Sequence, residues 1–393
     1  MRYLLLCCLP WIGILAWAGT PLIQDLMWDC IRPVYVIAGD LDGNGWDDIA
    51  VACHSCDMVL LGLNPKGQEC PVSWGSPKAL KLTDSPMALE WGLFGKGVGP
   101  YHKKIVVVTQ YKPAWGMFSA KDSSVSLKRS DLVTISHLTV GDFNEDGSLD
   151  VVLLDPLGLV LSFPMGAISD IDLSPYTDPG VPSFVNKGDF DRDADLDLVV
   201  SSGTKLLFFE NQGEGNFALR IELSGGLLIR ATAVADLDGD GDQDLAFVDP
   251  KFGTLAILEN KGCWEFKLKL RIKLDKGPVF VIPFDCDRDN DIDLAVAEYE
   301  GDVVAIATNN GQGGFTISRT FSVGKNPIGL AVGDFDRNGI PDLVVALHGG
   351  GPAGEGPALQ VIYNPCCALD DCTKQAPCCE EEEKKVPPPC GGS

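Results

Sequence analysis

Six short acidic segments recur along the chain at nearly constant spacing. They begin at residues 40, 142, 189, 236, 285 and 334, so successive starts are 102, 47, 47, 49 and 49 residues apart. Self-similarity at such a period is typical of repeat architectures, whose units bury their apolar faces against one another. Because the first interval spans two periods, we infer seven repeats, one without its acidic segment. Ala88–Thr109 fits that repeat, since Ile105–Val108 matches the apolar run that follows every other segment.

Each repeat has the same order of short apolar or alternating runs. Val34–Ile37 precedes the first acidic segment and Ile49–Ala52 follows it, and later runs such as Leu206–Glu210 and Phe217–Leu223 are separated by Gly, Asn and Asp turns. Runs of this kind favour strands over helices. Four strands in about 48 residues are typical of a propeller blade. The sequence therefore predicts an all-β fold, a seven-bladed β-propeller of four-stranded antiparallel blades.

The two ends of the predicted propeller are complementary. The last repeat stops after a third strand at Leu359–Tyr363, whereas an extra apolar run, Leu22–Ile31, precedes the first repeat. An N-terminal strand that closes the last blade would join the ends of the ring and hide the open sheet edges. We therefore assign residues 19–365 to the propeller.

The first 18 residues have the features of a secretory signal peptide. Arg2 is followed by the apolar stretch Tyr3–Ala18, and small residues precede Gly19. The alternative is an uncleaved anchor, but about 16 residues interrupted by Pro10 are short for a membrane span of roughly 20. We expect a secreted or cell-surface protein that does not insert in the membrane once the signal is cleaved. Residues 366–393 are rich in Cys, Glu and Pro, and we predict that they form a cross-linked knot or a flexible tether.

Twelve cysteines remain after the predicted cleavage. Disulfides are the default in an oxidising compartment, although their pairing does not follow from the sequence. Cys53 and Cys56 have the spacing of a redox or zinc motif. No second such pair lies at zinc-ribbon distance, so we favour a structural disulfide, with Cys70 as one possible partner.

The charge of the chain is concentrated in the six acidic segments. The net charge is -24, and the nine-residue segments carry 26 acidic and three basic residues, or -23 of that total. Such a balance argues against nucleic acid or an anionic membrane as a partner. A solvated acidic surface would spread its carboxylates, so segments this dense indicate cation binding.

Aligned with one another, the segments read DLDGNGWDD, DFNEDGSLD, DFDRDADLD, DLDGDGDQD, DCDRDNDID and DFDRNGIPD. Asp or Asn occupies positions 1, 3, 5 and 9. Oxygen ligands alone favour a hard cation, and calcium accepts six to eight flexible oxygens more readily than magnesium does. We predict up to six calcium sites, with these ligands: Asp40, Asp42, Asn44 and Asp48; Asp142, Asn144, Asp146 and Asp150; Asp189, Asp191, Asp193 and Asp197; Asp236, Asp238, Asp240 and Asp244; Asp285, Asp287, Asp289 and Asp293; Asp334, Asp336, Asn338 and Asp342.

The other residues of the segments refine this prediction. Gly or Asn is expected at position 6, where the chain must turn through positive φ, so Ala194 makes the third segment the least typical. Cys286, at position 2, should point away from the ion. An EF-hand is excluded because position 12 is apolar in every segment and lies in a predicted strand. Simple Asx turns are the remaining alternative, although six copies in register speak against it.

Segments such as GDFDRNGIPDLVVA and GDLDGNGWDDIAVA resemble the FG-GAP or VCBS repeats of integrin α-subunit propellers and of secreted microbial proteins. The resemblance extends over nearly all of residues 19–365. It implies a seven-bladed propeller with calcium in loops on one face and ligand recognition on surfaces formed by other loops. Some similar calcium-bearing propellers are polysaccharide lyases.

The sequence offers no motif for catalysis. No nucleophile elbow, HExxH or phosphate loop is present, and we assign no catalytic residue. The histidines at 54, 102, 137 and 348 occupy unlike contexts and are interpreted as surface or turn residues. We therefore predict a binding or adhesion scaffold for a protein or carbohydrate ligand. One alternative is a polysaccharide lyase. Another is that the propeller is only a spacer and that the cysteine-rich tail carries adhesion or anchoring. Aromatic residues that would serve a carbohydrate face, unless they only pack the blades, are Trp74, Trp91, Tyr101, Tyr111 and Trp115.

Overall fold

A computed structural model of the protein describes residues 21–65, 71–94, 102–122, 124–129, 132, 134–155, 158–162, 168–176, 182–224, 228–274, 276–350 and 356–366. The predicted signal peptide, Cys70, Tyr101 and the tail beyond Cys366 lie outside these residues. Regular structure in the described part is β-strand, apart from the short 3₁₀ turn His54–Cys56. A search of that part finds no helix with the length and apolar character of a membrane span.

Twenty-eight strands in the described residues form seven four-stranded antiparallel sheets. An initial strand, β1 (Ile23–Leu26), precedes sheet 1, which contains β2 (Pro33–Gly39), β3 (Asp48–Cys53), β4 (Met58–Gly62) and β5 (Lys78–Lys81). Sheet 2 contains β6 (Pro86–Phe94), β7 (His102–Thr109), β8 (Ala114–Phe118) and β9 (Lys128–Arg129). Sheet 3 contains β10 (His137–Gly141), β11 (Asp150–Asp155), β12 (Gly158–Ser162) and β13 (Ile168–Asp172).

The remaining sheets repeat this order. Sheet 4 contains β14 (Pro182–Gly188), β15 (Asp197–Ser202), β16 (Lys205–Asn211) and β17 (Phe217–Ser224). Sheet 5 contains β18 (Ala231–Ala235), β19 (Asp244–Asp249), β20 (Thr254–Asn260) and β21 (Phe266–Lys273). Sheet 6 contains β22 (Pro278–Phe284), β23 (Asp293–Glu298), β24 (Val303–Thr308) and β25 (Thr316–Ser322). Sheet 7 contains β26 (Pro327–Gly333), β27 (Asp342–Leu347) and β28 (Leu359–Ile362), with β1 at its outer edge.

The first strands of the sheets surround a common axis. Each contacts the first strand of the next sheet, from β2 through β6, β10, β14, β18 and β22 to β26, and β26 contacts β2 again. The predicted all-β propeller is therefore confirmed. At the outer edge of sheet 7, β1 pairs with β28 in antiparallel register, from Ile23 opposite Ile362 to Leu26 opposite Leu359.

The core lies between neighbouring sheets. Seven buried apolar clusters occur in the described residues, one at each contact between successive sheets. Every residue of β3, β11, β15, β19, β23 and β27 is buried. Because both faces of these second strands are covered, their sequences are continuous apolar runs. Outer strands such as β21 and β25 instead alternate between partly buried and exposed residues.

The acidic segments connect the first and second strands of six sheets, and position 9 is always the first residue of the second strand. Sheet 2 differs as predicted. Its β6 and β7 continue to pair as far as Phe94 and His102, with no acidic segment between them. All six candidate loops consequently lie at one end of the central axis.

Two disulfides join distant parts of the described chain. Cys53 is bonded to Cys30 and not to Cys56, which is a free thiol, so Cys53 has a structural role while the C-x-x-C pair itself is not a disulfide. Cys286, in the fifth acidic segment, is bonded to Cys366, the first residue of the predicted tail. This bond attaches the start of the tail to the propeller.

Candidate metal centres

The backbone of the six acidic loops makes the same double turn. Position 6 has a left-handed conformation in every loop, with φ between 71° and 86°, and this includes Ala194 and Asn290. The predicted turn at position 6 is therefore confirmed. Position 4 also has positive φ in every loop, between 55° and 79°, although four loops have Glu or Arg there: Glu145, Arg192, Arg288 and Arg337. Sequence reasoning missed this second turn because these side chains rarely adopt the left-handed region.

Side chains at the odd positions hold the turn from inside. Position 5 accepts the N–H of position 7 in all six loops, as Asp240 does from Asp242 at 2.8 Å. Position 1 accepts the N–H of position 6 in five loops, as Asp236 does from Gly241 at 3.0 Å. These bonds are Asx turns, but they also aim the alternate carboxylates toward one centre.

The aspartate at position 9 is buried in all six loops. Its Oδ2 accepts the N–H of position 2 at 2.9 to 3.1 Å. Burial raises the pKa of four of these carboxyls to about 7 and that of Asp293 to about 6, and it raises the pKa of Asp342 as well. A buried carboxylate without a cation is costly, so each position 9 is poised to take a positive charge.

An asparagine at the end of the third strand, or just after it, completes five of the loops. Its backbone N–H donates to Oδ1 of position 9 at 2.7 to 2.9 Å, and these residues are Asn64, Asn211, Asn260, Asn309 and Asn364. In four of them the side chain also donates to the backbone oxygen at position 2 of the preceding loop, as Asn260 does to Phe190 at 2.9 Å. These four amides therefore tie neighbouring loops together. In the sequence such asparagines indicate only a turn.

Predicted ligands converge in the described loops. Three carboxylates, one oxygen from each, lie within 4.8 Å of one another in these sets: Asp40, Asp42 and Asp48; Asp189, Asp191 and Asp197; Asp236, Asp238 and Asp244; Asp285, Asp287 and Asp289. One predicted ligand oxygen in each of three loops is buried and accepts no hydrogen bond: Asp150 Oδ1, Asp191 Oδ1 and Asp285 Oδ1. Clustered, unpaired carboxylate oxygens fit a hard cation such as calcium.

Two loops have an ammonium group at a predicted ligand. Lys103 Nζ, from sheet 2, lies 2.7 Å from Asp40 Oδ2, and Lys269 Nζ lies 3.0 Å from Asp238 Oδ2. Partial burial would raise the pKa of Asp40, but Lys103 and the N–H groups of Gly45 and Asn44 lower it overall. At these loops a lysine supplies part of the positive charge that the carboxylates require.

The sulfur of Cys286 is not available as a metal ligand. It lies within 4.8 Å of an Asp293 carboxylate oxygen and of Cys366, but the two sulfurs are joined in the disulfide. The remaining candidate ligands of this loop are carboxylate oxygens.

The aromatic candidates are spread over the first two sheets. Trp74 packs against Trp28 and Phe335, and Trp91 donates from Nε1 to the Ala38 backbone oxygen at 2.9 Å. Both pack between sheets. Trp115 is partly buried beneath Lys128, whose Nζ lies 5.0 Å from the ring centroid, whereas Tyr111 is 67% exposed.

The interpretation of the histidines as surface or turn residues is wrong for His137, which is buried in β10. His54 lies in the 3₁₀ turn and His348 in a turn after β27, as interpreted, and these two partly buried residues line one cavity together with His137. The three residues come from sheets 1, 7 and 3, so only the closure of the ring brings them together. No local sequence signal marks this convergence, because the three residues share no common position in the repeat.

Fold and loops define a β-propeller with aspartate-rich connections between first and second strands. The chain carries FG-GAP-like repeats, since the model of that repeat matches residues 189–247 and 285–345. These two stretches contain the third to sixth acidic segments, which begin at residues 189, 236, 285 and 334. No curated protein sequence matches the chain.

Several solved propellers share the fold at low sequence identity. BBS1N, crystallised in complex with ARL6DN, is 12% identical, with 90% of this chain and 98% of that one covered at a TM-score of 0.63. Virginiamycin B lyase from Staphylococcus aureus is 11% identical, with 87% and 98% covered at 0.58. A lectin from Agrocybe aegerita that recognises terminal N-acetylglucosamine is 19% identical, with 85% and 93% covered at 0.52. The three differ in function, so the likeness establishes the fold alone.

Proposed function

We propose that this protein is a secreted or cell-surface, calcium-stabilised β-propeller that acts as a binding or adhesion scaffold for a protein or glycan. The observation that carries the calcium assignment is the convergence of three carboxylates in each of four loops, with buried and unpaired ligand oxygens beside them. Up to six ions would occupy the six loops. Bound calcium would neutralise the crowded carboxylates and thereby stabilise the ring.

Within this proposal the propeller has seven blades, and β1 completes the last one. Seven sheets in a closed circuit of first strands support the count, and the pairing of β1 with β28 supports the closure. Side chains reinforce the pairing, since Gln360 Nε2 donates to Asp25 Oδ1 at 2.7 Å and Tyr363 Oη donates to Gln24 Oε1 at 2.7 Å. Deleting residues 19–27 should lower the melting temperature; an unchanged melt would refute the closure.

Calcium binding is tested by calorimetric titration of the chelated protein. We expect several sites per chain, with a dissociation constant of about 0.1 to 1 mM as in other extracellular modules. Magnesium at the same concentration should bind more weakly, because the loops supply many flexible oxygens and magnesium keeps its waters. Absence of heat and of any stabilisation with calcium would remove the metal assignment.

The binding role is supported by the diversity of the neighbours, one of which was crystallised with a protein partner and one of which recognises a sugar. It is tested by incubating the purified protein with soluble polysaccharides in millimolar calcium and following both retention and product release. Retention without products is expected. Absence of both retention and products would favour a protein ligand over a glycan.

A polysaccharide lyase is the second candidate. Tyr35 Oη lies 3.3 Å from His137 Nε2 in the cavity that holds three histidines, and this hydroxyl and imidazole are the groups that would have to move the proton. Burial lowers the pKa of His137 to about 3 and raises that of Tyr35, so this candidate ranks below the binding role. Release of unsaturated products from the same polysaccharide panel would support this candidate over the binding role. Its loss on Tyr35→Phe, with the fold retained, would place the chemistry at this pair.

A further inference from the structure

The cavity at the end of the axis opposite the acidic loops has the features of a ligand site. The first strands of the sheets run from this end toward the loops, and the second strands return to it. The cavity measures about 600 Å³. That volume is in the range of small-molecule sites, which are mostly apolar with a few placed polar groups.

A repeated backbone irregularity directs side chains into the cavity. Five first strands begin with proline, and in each the register shifts just after it, as between Pro33 and Tyr35 or between Pro278 and Phe280. Bulges of this kind re-aim side chains and are frequent beside functional sites. Here they turn residues of the innermost strands toward the axis.

Four rings from different sheets form the floor of the cavity. Tyr35 packs edge-on against His137 and Phe280, with centroids 5.5 and 5.9 Å apart. Phe184 lies against the His137 ring at 3.9 Å and edge-on to Phe280 at 6.0 Å. The same four residues also line the narrower space deeper in the channel, so they separate the cavity from the channel below. The floor is therefore aromatic and largely apolar.

The rim of the cavity is cationic. Arg32 and Arg230 line it, both are exposed, and no ion pair of either occurs within 4.0 Å among the described residues. None of the described side chains that line the cavity is acidic, although the chain as a whole carries a net charge of -24. Two unpaired guanidinium groups over an acid-free cavity provide a local positive field in an otherwise negative protein.

Polar groups stand between the rim and the floor. His54 Nε2 lies 2.9 Å from Gln110 Oε1, and His348 Nδ1 lies 3.3 Å from the Pro33 backbone oxygen. Burial, with Arg32 and His54 nearby, lowers the pKa of His348, and burial lowers the pKa of His137 to about 3. At neutral pH the imidazoles of His137 and His348 supply hydrogen-bonding groups without adding to the charge of the arginines.

From this arrangement we infer that the cavity binds a small organic carboxylate whose ring lies on the aromatic floor while its acid group pairs with Arg32 or Arg230. The inference rests on the proposed binding function and names the ligand class for it. The ring is either that of an aryl acid or that of a uronic acid sugar, since an aryl ring and the C–H face of a pyranose each combine apolar surface with a carboxylate.

Calorimetric titration in millimolar calcium tests the inference, with phenylacetate and digalacturonate as probes. Phenylacetamide and the neutral digalactose serve as their uncharged counterparts. We expect one acid to bind at one site per chain and its neutral counterpart to bind about tenfold more weakly or worse. Binding of phenylacetate alone would identify an aryl acid, and binding of digalacturonate alone a uronic acid. The inference is overturned if neither acid binds at about 10 mM or if neutral counterparts bind equally.

Variants locate the site. Arg32→Gln or Arg230→Gln, whichever removes the guanidinium that pairs with the acid, should weaken binding of the acid about tenfold, whereas Arg220→Gln, on the exposed outer strand β17, should leave binding unchanged. Val279→Trp, which fills the cavity, should abolish binding, provided that its melt matches the parent protein. The site is refuted if neither Arg32→Gln nor Arg230→Gln weakens binding more than Arg220→Gln does. A protein that gains stability with calcium and retains a polysaccharide yet binds neither acid would refute this inference alone.

Discussion

Sheets 2 and 5 show two ways of connecting a first strand to a second. In sheet 5 the pairing of β18 and β19 ends at Ala235 and Asp244, and the chain leaves the ladder for an acidic loop. In sheet 2 the pairing of β6 and β7 continues to Phe94 and His102. Backbone hydrogen bonds there occupy the place of the loop. A blade therefore forms without these carboxylates, and the acidic loops add an electrostatic cost that a bound cation would offset.

The largest expected effect is that of chelation on the six loop-bearing sheets. Each calcium site contributes about 2.7 kcal/mol at 100 times its dissociation constant, so excess EDTA should lower the melting temperature strongly. Differential scanning calorimetry checks this, and hydrogen exchange should show that protection is lost in β18 and β19 before it is lost in β6 and β7. An unchanged melt with EDTA would contradict the calcium assignment.

The next largest expected effect is a pH dependence of stability that differs between the metal-free and the calcium-loaded protein. Burial raises the pKa of Asp48, Asp197 and Asp244 to about 7. Between the unfolded pKa near 3.9 and this value the native state binds more protons than the unfolded one. Stability from these groups is thus complete below about pH 4 and is lost as the pH rises through about 7.

Thermal melts in EDTA at about pH 5 and about pH 7.5 measure this loss. The metal-free protein should melt lower at the higher pH. Calcium requires ionised ligands, so its stabilising increment should grow over the same interval. A calcium increment that shrinks as the pH rises would show that the position 9 carboxyls are not ligands.

The third prediction concerns the asparagine that ties neighbouring loops. Asn260→Ala would leave the backbone oxygens of Phe190 and Gln243, which accept from its side chain at 2.9 and 3.2 Å, without that donor. The expected loss in the free energy of unfolding is about 1 to 3 kcal/mol. Asn216→Ala, an exposed turn residue, is the control. Equal urea unfolding midpoints for the two variants would mean that the buried amide stabilises nothing.

The fourth prediction concerns the charge of a single loop. Asp240→Asn keeps the acceptor for the Asp242 N–H and matches Asn44 and Asn338 at the same position of other loops. It should lower stability by about 1 kcal/mol in calcium, as one ligand charge is lost, and leave it equal or higher in EDTA. Asp122→Asn in sheet 2, which also caps a turn, should show no dependence on calcium. The same response in both sheets would contradict the comparison.

The smallest expected effect concerns a contact between sheet 2 and an acidic loop. Lys103→Met removes the ammonium that sheet 2 places 2.7 Å from Asp40 in the loop of sheet 1. In EDTA the loss should be below about 1 kcal/mol, as for other partly exposed ion pairs. In calcium the first loop should bind more tightly, because Asp40 is released. Tighter binding of calcium by the parent protein than by the variant would show that Lys103 assists the site.

Agreement between sequence and structure is closest where the signal is local. The strands around each acidic segment, the turn at position 6 and the missing segment within residues 88–109 all follow from residue types a few positions apart. The second turn at position 4 was missed, since Arg192 and Arg337 give no sign of left-handed φ. The hydrogen bonds of the loop nevertheless hold both residues in the left-handed region.

Residue types and their spacing were enough to predict that the chain repeats, that the repeats are β-rich, and that six connections concentrate carboxylates. The pairing of Cys53 with Cys30 and of Cys286 with Cys366, and the shared cavity of His54, His137 and His348, appear only in the folded ring. The cause is distance along the chain. Periodicity and turn preference act within one repeat, whereas a disulfide pairing or a shared cavity depends on which repeats become neighbours when the ring closes.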